Sequence, residues 1–117
     1  MVTIDSGPLH IARKLGLPTV SIWGPTNPAS YINIRAGQEK RHLYYYNKVA
    51  CSPCVHHHEP LPCGGNNFCM KEIGAESIIE KLKLLLEHLQ NENEHAETAM
   101  ANALGEEDYQ TGNLRNV

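Results

Sequence analysis

The tightest constraint on this chain sits in its first 28 residues. Val2-Thr3-Ile4 is a short β-branched run that stops at Asp5-Ser6-Gly7-Pro8. Proline suits a first helical position because its missing N–H would be unpaired there anyway. Ser6 or Gly7 then falls at or beside the N-cap. Leu9, Ile11, Ala12 and Leu15 form an imperfect helical stripe, and Gly16-Leu17-Pro18 ends it. Thr19 to Trp23 reads as a buried strand, and Gly24-Pro25-Thr26-Asn27-Pro28 as a turn. Strand, tight turn, helix, strand is the βαβ unit of a parallel, helix-covered sheet. The expected class is therefore α/β.

The rest of the chain is less regular. Residues 29–40 have no clear period and read as a loop, and Leu43-Tyr44-Tyr45-Tyr46 is a further strand candidate. Cys51 to Cys69 carries three prolines and two adjacent glycines, so it should be irregular. Residues 75–89 predict the clearest helix, with Ile78, Ile79, Leu82, Leu85, Leu86 and Leu89 on one face. Residues 90–117 hold six acids and one base. They have few large apolar residues to offset ordering entropy, which predicts a frayed helix running into an acidic, disordered tail. A solvated tail is favoured over a partner-binding motif.

Length and charge narrow the function. A chain of 117 residues allows one domain at most. Its formal net charge of −3 argues against a general nucleic-acid binder. No apolar run approaches the ~18 residues of a membrane span. Nothing at the N-terminus resembles a secretion signal, so a cytoplasmic address is expected. The opening inside a strand, with too few strands for a two-faced sheet, suggests the end of a larger domain.

The turn after the first strand has chemistry of its own. A strand turning sharply into a helix leaves backbone N–H groups without helical partners at the positive end of the helix dipole, a natural phosphate site. Gly7 lets a ligand approach the backbone, and the Ser6 hydroxyl can donate to a phosphate oxygen. His10 lies one turn further on, and Asp5 lies at the carboxyl end of its strand, where open α/β sheets bind ligands. On spacing alone, a plain capped helix is the commoner meaning of such residues.

Four cysteines are spaced C-x2-C-x8-C-x5-C at Cys51, Cys54, Cys63 and Cys69, with His56-His57-His58 between them. Two cysteines two residues apart are a common half of a tetrahedral zinc site, but the Cys63–Cys69 spacing is not a usual knuckle. Structural zinc ahead of an iron–sulfur cluster, reduced thiols and a stray disulfide remain as readings. The histidine run reads as a solvated loop.

Taken in order, Asp5-Ser6-Gly7-Pro8-Leu9-His10-Ile11-Ala12, Leu15-Gly16-Leu17-Pro18-Thr19-Val20 and Gly24-Pro25-Thr26-Asn27-Pro28 resemble the C-terminal domain of glycosyltransferase family 9, the lipopolysaccharide heptosyltransferase family. Cys51-Ser52-Pro53-Cys54, Cys63 and Cys69-Met70 resemble a cysteine-bearing loop of many members. The resemblance covers about residues 2–89. It implies a partial Rossmann-like C-terminal half of a GT-B fold over residues 1–89, with an irregular Cys-rich loop and a C-terminal amphipathic helix. It also implies a donor site for a nucleotide-diphospho-sugar (ADP-heptose in the best-known members) formed by Asp5, Ser6, Gly7, Pro8 and His10. Transfer would be inverting, would need no metal or other cofactor, and would go to a lipopolysaccharide-core or related glycan acceptor. The carboxylate base belongs to the family's N-terminal half, so no catalytic base is expected in this chain, and no turnover from it alone. Lipid-linked acceptors imply a peripheral place at the inner face of the cytoplasmic membrane. After Pro28 the sequence departs from the family pattern, with Ala29-Ser30-Tyr31-Ile32-Asn33 where a Gly-Pro is expected. Two readings compete with this one: a metal-stapled four-cysteine module without catalysis, and a non-functional remnant.

Overall fold

The computed structural model describes residues 1–114. It forms two compact units, the first spanning Met1–Leu86 and the second beginning at Glu87. The elements of the first unit are β1 (Val2–Ile4), α1 (Gly7–Lys14), β2 (Thr19–Trp23), α2 (Pro28–Tyr31), a 3-10 turn (Glu39–Arg41), β3 (His42–Tyr46) and α3 (Phe68–Lys71). The last helix, α4, runs from Ala75 to Leu114 and continues into the second unit.

The three strands pair in parallel in the order β1-β2-β3. Val2 lies opposite Val20, and Thr19 to Trp23 lie opposite His42 to Tyr46. Parallel pairing puts the residues after each strand, Asp5, Gly24 and Asn47, on one edge of the sheet. The βαβ reading of the first 28 residues is therefore correct in type and order. The Leu43–Tyr46 candidate is β3, which begins one residue earlier at His42.

Burial follows strand position. β2 is central, and Thr19, Val20, Ser21 and Trp23 are buried. The buried Trp23 indole donates to Ser21 Oγ at 2.9 Å, and the ring stacks on Tyr31 with centroids 6.4 Å apart. β1 is an edge strand, and Val2 and Ile4 are about half exposed. Leu9 and Ala12 are the buried face of α1, while Ile11 and Leu15 point to solvent.

Two short helices escape the sequence reading. α2 begins where the sequence suggests a turn and loop: Asn27 caps it, its Oδ1 accepting from the Ala29 N–H at 3.0 Å, and Pro28 occupies its start. α3 interrupts the Cys51–Cys69 segment just before its end. The remainder of that segment is irregular, as expected, and His56, His57 and His58 are exposed.

The expected stripe on α4 buries only Leu85 fully, and Ile79 and Leu86 stay about half exposed. In the second unit the helix continues as far as Leu114. From Asn93 to Gly105 every residue is exposed. Good helix formers such as Ala96, Ala99, Ala101 and Leu104 support it locally, because no packed face does. His88 and Glu92 add an i,i+4 pair at 3.2 Å. Of the acidic stretch 90–117, residues 115–117 lie outside the described residues.

Candidate functional site

α1 begins immediately after Asp5 and Ser6. Ser6 is the N-cap in extended conformation, Gly7 is the first helical residue and Pro8 the second. Pro8 thus stands one position further in than the sequence suggests, still within the turn whose N–H groups have no helical acceptor. The Ser6 side chain does not cap the helix. Its hydroxyl donates back to the Ile4 carbonyl at 3.2 Å and lies 3.5 Å from Thr3 Oγ1. Its first partner is therefore its own strand, and the backbone around Gly7 is the open part of the turn. A Cβ built on Gly7 meets no atom within 4 Å. A larger side chain there would occupy the space in front of the helix start without disturbing the protein.

Asp5 is held from two sides. Thr26 Oγ1 donates to Oδ2 at 2.9 Å, and His10 Nε2 stands 3.3 Å from Oδ1. A carboxylate only accepts, so Nε2 carries the proton of neutral His10 and Nδ1 is left for another partner. Thr26 follows β2 and Asp5 follows β1, so the parallel sheet brings them together. A cavity of about 230 Å³ opens at this edge, lined by Asp5, Trp23, Gly24, Thr26, Asn67 and Met70 among others. Sequence reasoning named Asp5 and His10 as site residues but not Thr26, Asn67 or Met70. The Gly24-Pro25-Thr26 motif carried the signal for Thr26. Asn67 and Met70 arrive only through the return of the long loop.

That loop is stitched to the end of β2 by hydrogen bonds. Ser52 Oγ donates to the Gly24 carbonyl at 2.8 Å, and the N–H groups of Cys54 and Val55 donate to Pro25 O at 2.9 and 3.1 Å. The Asn47 side chain donates to Cys69 O at 2.6 Å. Gly24 itself is packed tightly: a Cβ there would lie 2.8 Å from Met70 Sδ and 2.9 Å from Cys69 Sγ. The cysteine loop thereby fixes the floor of the cavity beside Thr26.

The cysteines are free thiols, with Cys54 and Cys69 buried and Cys51 and Cys63 half-buried. Burial raises the Cys69 thiol, with the nearby Cys54 thiol adding to the effect. Backbone N–H groups, chiefly that of Asn67, lower Cys63. Among the described residues, no three His, Cys, Asp or Glu side chains converge on a position that could hold a metal ion. Hydrogen bonds to the Gly24 and Pro25 carbonyls hold the loop in place.

Among the described residues, no helix is long and apolar enough to cross a membrane.

The family model for glycosyltransferase family 9 (heptosyltransferase) matches residues 1–64. The chain is 33% identical over 84 residues to lipooligosaccharide heptosyltransferase 2 of Campylobacter jejuni subsp. jejuni serotype O:6, a match covering 72% of this chain and 25% of that protein. It is 32% identical over 87 residues to the protein of the same name from serotype O:2, covering 74% of this chain and 25% of the relative. The chain thus spans about a quarter of the length of these curated relatives. No solved structure matches. The matched stretch contains the Asp5 turn, the Thr26 motif and most of the cysteine loop, and on it the chain belongs to glycosyltransferase family 9.

Proposed function

We propose that this chain carries the donor-binding part of a family 9 glycosyltransferase. The donor would be a nucleotide-diphospho-sugar of the ADP-heptose kind, and the acceptor a lipopolysaccharide-core or related glycan. The observation that carries this reading is Asp5, clamped by His10 and Thr26 at the mouth of a cavity beside the open first turn of α1.

In this reading the backbone at Gly7 receives the diphosphate, where the helix dipole favours negative charge. Glycosyl transfer breaks the bond between the anomeric carbon and the diphosphate, and the leaving group gains charge as it departs. A fixed positive helix end stabilises that charge more in the transition state than in the ground state. Asp5 and His10 lie at the sugar-phosphate end, where the Nδ1 of His10 can hydrogen-bond the ligand. The fold of the whole enzyme would be GT-B, the transfer inverting and independent of metal. The base that activates the acceptor hydroxyl belongs to the part of the family fold that this chain does not span, so the chain alone binds donor without turning it over. Its place would be the cytoplasm, at the inner face of the membrane that presents the acceptor.

The test is titration of ADP and an ADP-sugar into the protein, followed by amide shifts. Saturable shifts should centre on Ser6, Gly7, His10 and Thr26. Gly7→Val should weaken binding at least about tenfold, a loss of roughly 1.4 kcal/mol, while the melting temperature stays put. Unchanged affinity in that variant would remove the phosphate assignment.

A further inference from the structure

The far end of α1 presents different chemistry. A second cavity, about 180 Å³ in volume, is lined by His10, Arg13, Lys14, Arg35, Gln38 and His42 among others, and no Asp or Glu lines it. That is several times the ~30 Å³ share of a water molecule, which leaves room for a small polyatomic ion.

Two of the residues that line it carry buried nitrogens with no hydrogen-bond partner among the described residues. His42 opens β3 and is only 4% exposed. Its Nδ1 lies 3.0 Å from Thr19 Oγ1. With the hydroxyl as donor to Nδ1, the ring proton sits on Nε2, and Nε2 is buried with no hydrogen-bond partner among the described residues. Arg13 Nε and Nη2 are likewise buried and without a partner. These two nitrogens form the side-on fork of the guanidinium, the edge that grips two oxygens of one anion. Folded proteins seldom leave buried donors unmatched, least of all on a charged group.

We propose that this cavity binds a phosphate group, gripped on two oxygens by Arg13 Nε and Nη2 and on a third by His42 Nε2. Donors converging on a third oxygen suit a tetrahedral oxyanion better than a planar carboxylate. Lys14 and Arg35, both exposed at the rim, match a second negative charge. The site does not depend on the helix dipole, because Arg13 and Lys14 occupy the last turn of α1, where that dipole is negative. Burial, followed by Arg13 and Arg41, holds the His42 imidazole below its ordinary value and so disfavours its charged form. An anion in the cavity reverses that balance. The phosphate could be free in solution or carried as a phosphomonoester on a sugar; both offer the same three oxygens.

The experiment is titration of inorganic phosphate into the full chain at constant ionic strength, reading the side-chain nitrogen signals of Arg13 and His42. The expected result is a saturable shift of both, with the His42 titration midpoint moving upward. Arg13→Gln should weaken the response at least about tenfold through loss of the charged fork. Arg13→Lys, which keeps the charge and lowers any risk to the fold, should still weaken it several-fold. Gly7→Val should leave it intact, which separates this site from the donor cavity. A sugar phosphomonoester binding as well as phosphate identifies the carried group as the ligand, and a weaker response identifies free phosphate; both uphold the site. A cavity that holds only water gives no saturable shift, and that result overturns the proposal. So does equal binding of acetate, or an unchanged response in Arg13→Gln.

Discussion

The two ends of α1 are built for opposite tasks from the same helix. At its start, Asp5 accepts from two protein donors, one on each oxygen, while a side chain at Gly7 would face open space. At its end, Arg13 and His42 line a cavity and carry buried nitrogens with no partner among the described residues. The first end offers backbone N–H groups and a dipole, and the second offers side-chain charge set against the dipole. A helix start attracts anions whatever its sequence, given room to approach. A helix end does so only if specific side chains overcome the field of the backbone.

Both ends rely on the buried face between them. Leu9 is wholly inaccessible and anchors α1 to the sheet. Leu9→Ala should cost about 2–5 kcal/mol, the usual range for a fully buried leucine. Thermal unfolding measures this, and both binding responses should weaken together. Loss at one end only would show that the ends are held independently.

A smaller change sharpens the contrast. Thr26→Val keeps the shape of the side chain and removes the hydroxyl that donates to Asp5 at 2.9 Å. One such hydrogen bond is worth about 1 kcal/mol, so nucleotide-diphosphate affinity should fall roughly five-fold while the phosphate response at Arg13 stays unchanged. Calorimetric titration of both ligands checks this.

The mildest effect is on acid stability. His42 has a lowered pKa in the folded protein, because burial and two arginines disfavour its charged form. The unfolded chain therefore takes up a proton first as pH falls. Stability attributable to His42 is complete above the ordinary imidazole range. It declines as pH drops from there toward the depressed folded value. Denaturant midpoints measured from pH 8 to pH 5 should fall, and should fall less when phosphate occupies the cavity.

Much of the first end was legible in the chain itself. β-branched residues before Asp5-Ser6-Gly7-Pro8, and Gly16-Leu17-Pro18 after the helix, are strong local signals, and the elements form where they point. The single turns of α2 and α3 were harder to read. Each is too short for a periodic stripe, and for α2 the Asn27-Pro28 cap was the only clue. The cysteine loop shows a further limit. Its spacing alone does not reveal what the loop packs against. Here the Ser52 hydroxyl on the Gly24 carbonyl and the Cys54 and Val55 N–H groups on Pro25 O hold the loop.

The sequence by itself determined the βαβ unit, the position of Asp5 at a strand end and the family to which the motifs belong. Those follow from local preferences and from residues close together in the chain. Tertiary structure decided which side chains share a cavity. Parallel pairing carried Thr26 to Asp5, the returning loop carried Met70 beside Gly24, and the register of β3 against β2 set His42 opposite Thr19. Each of these contacts depends on strand register and loop closure over long separations, which no local pattern of residues encodes.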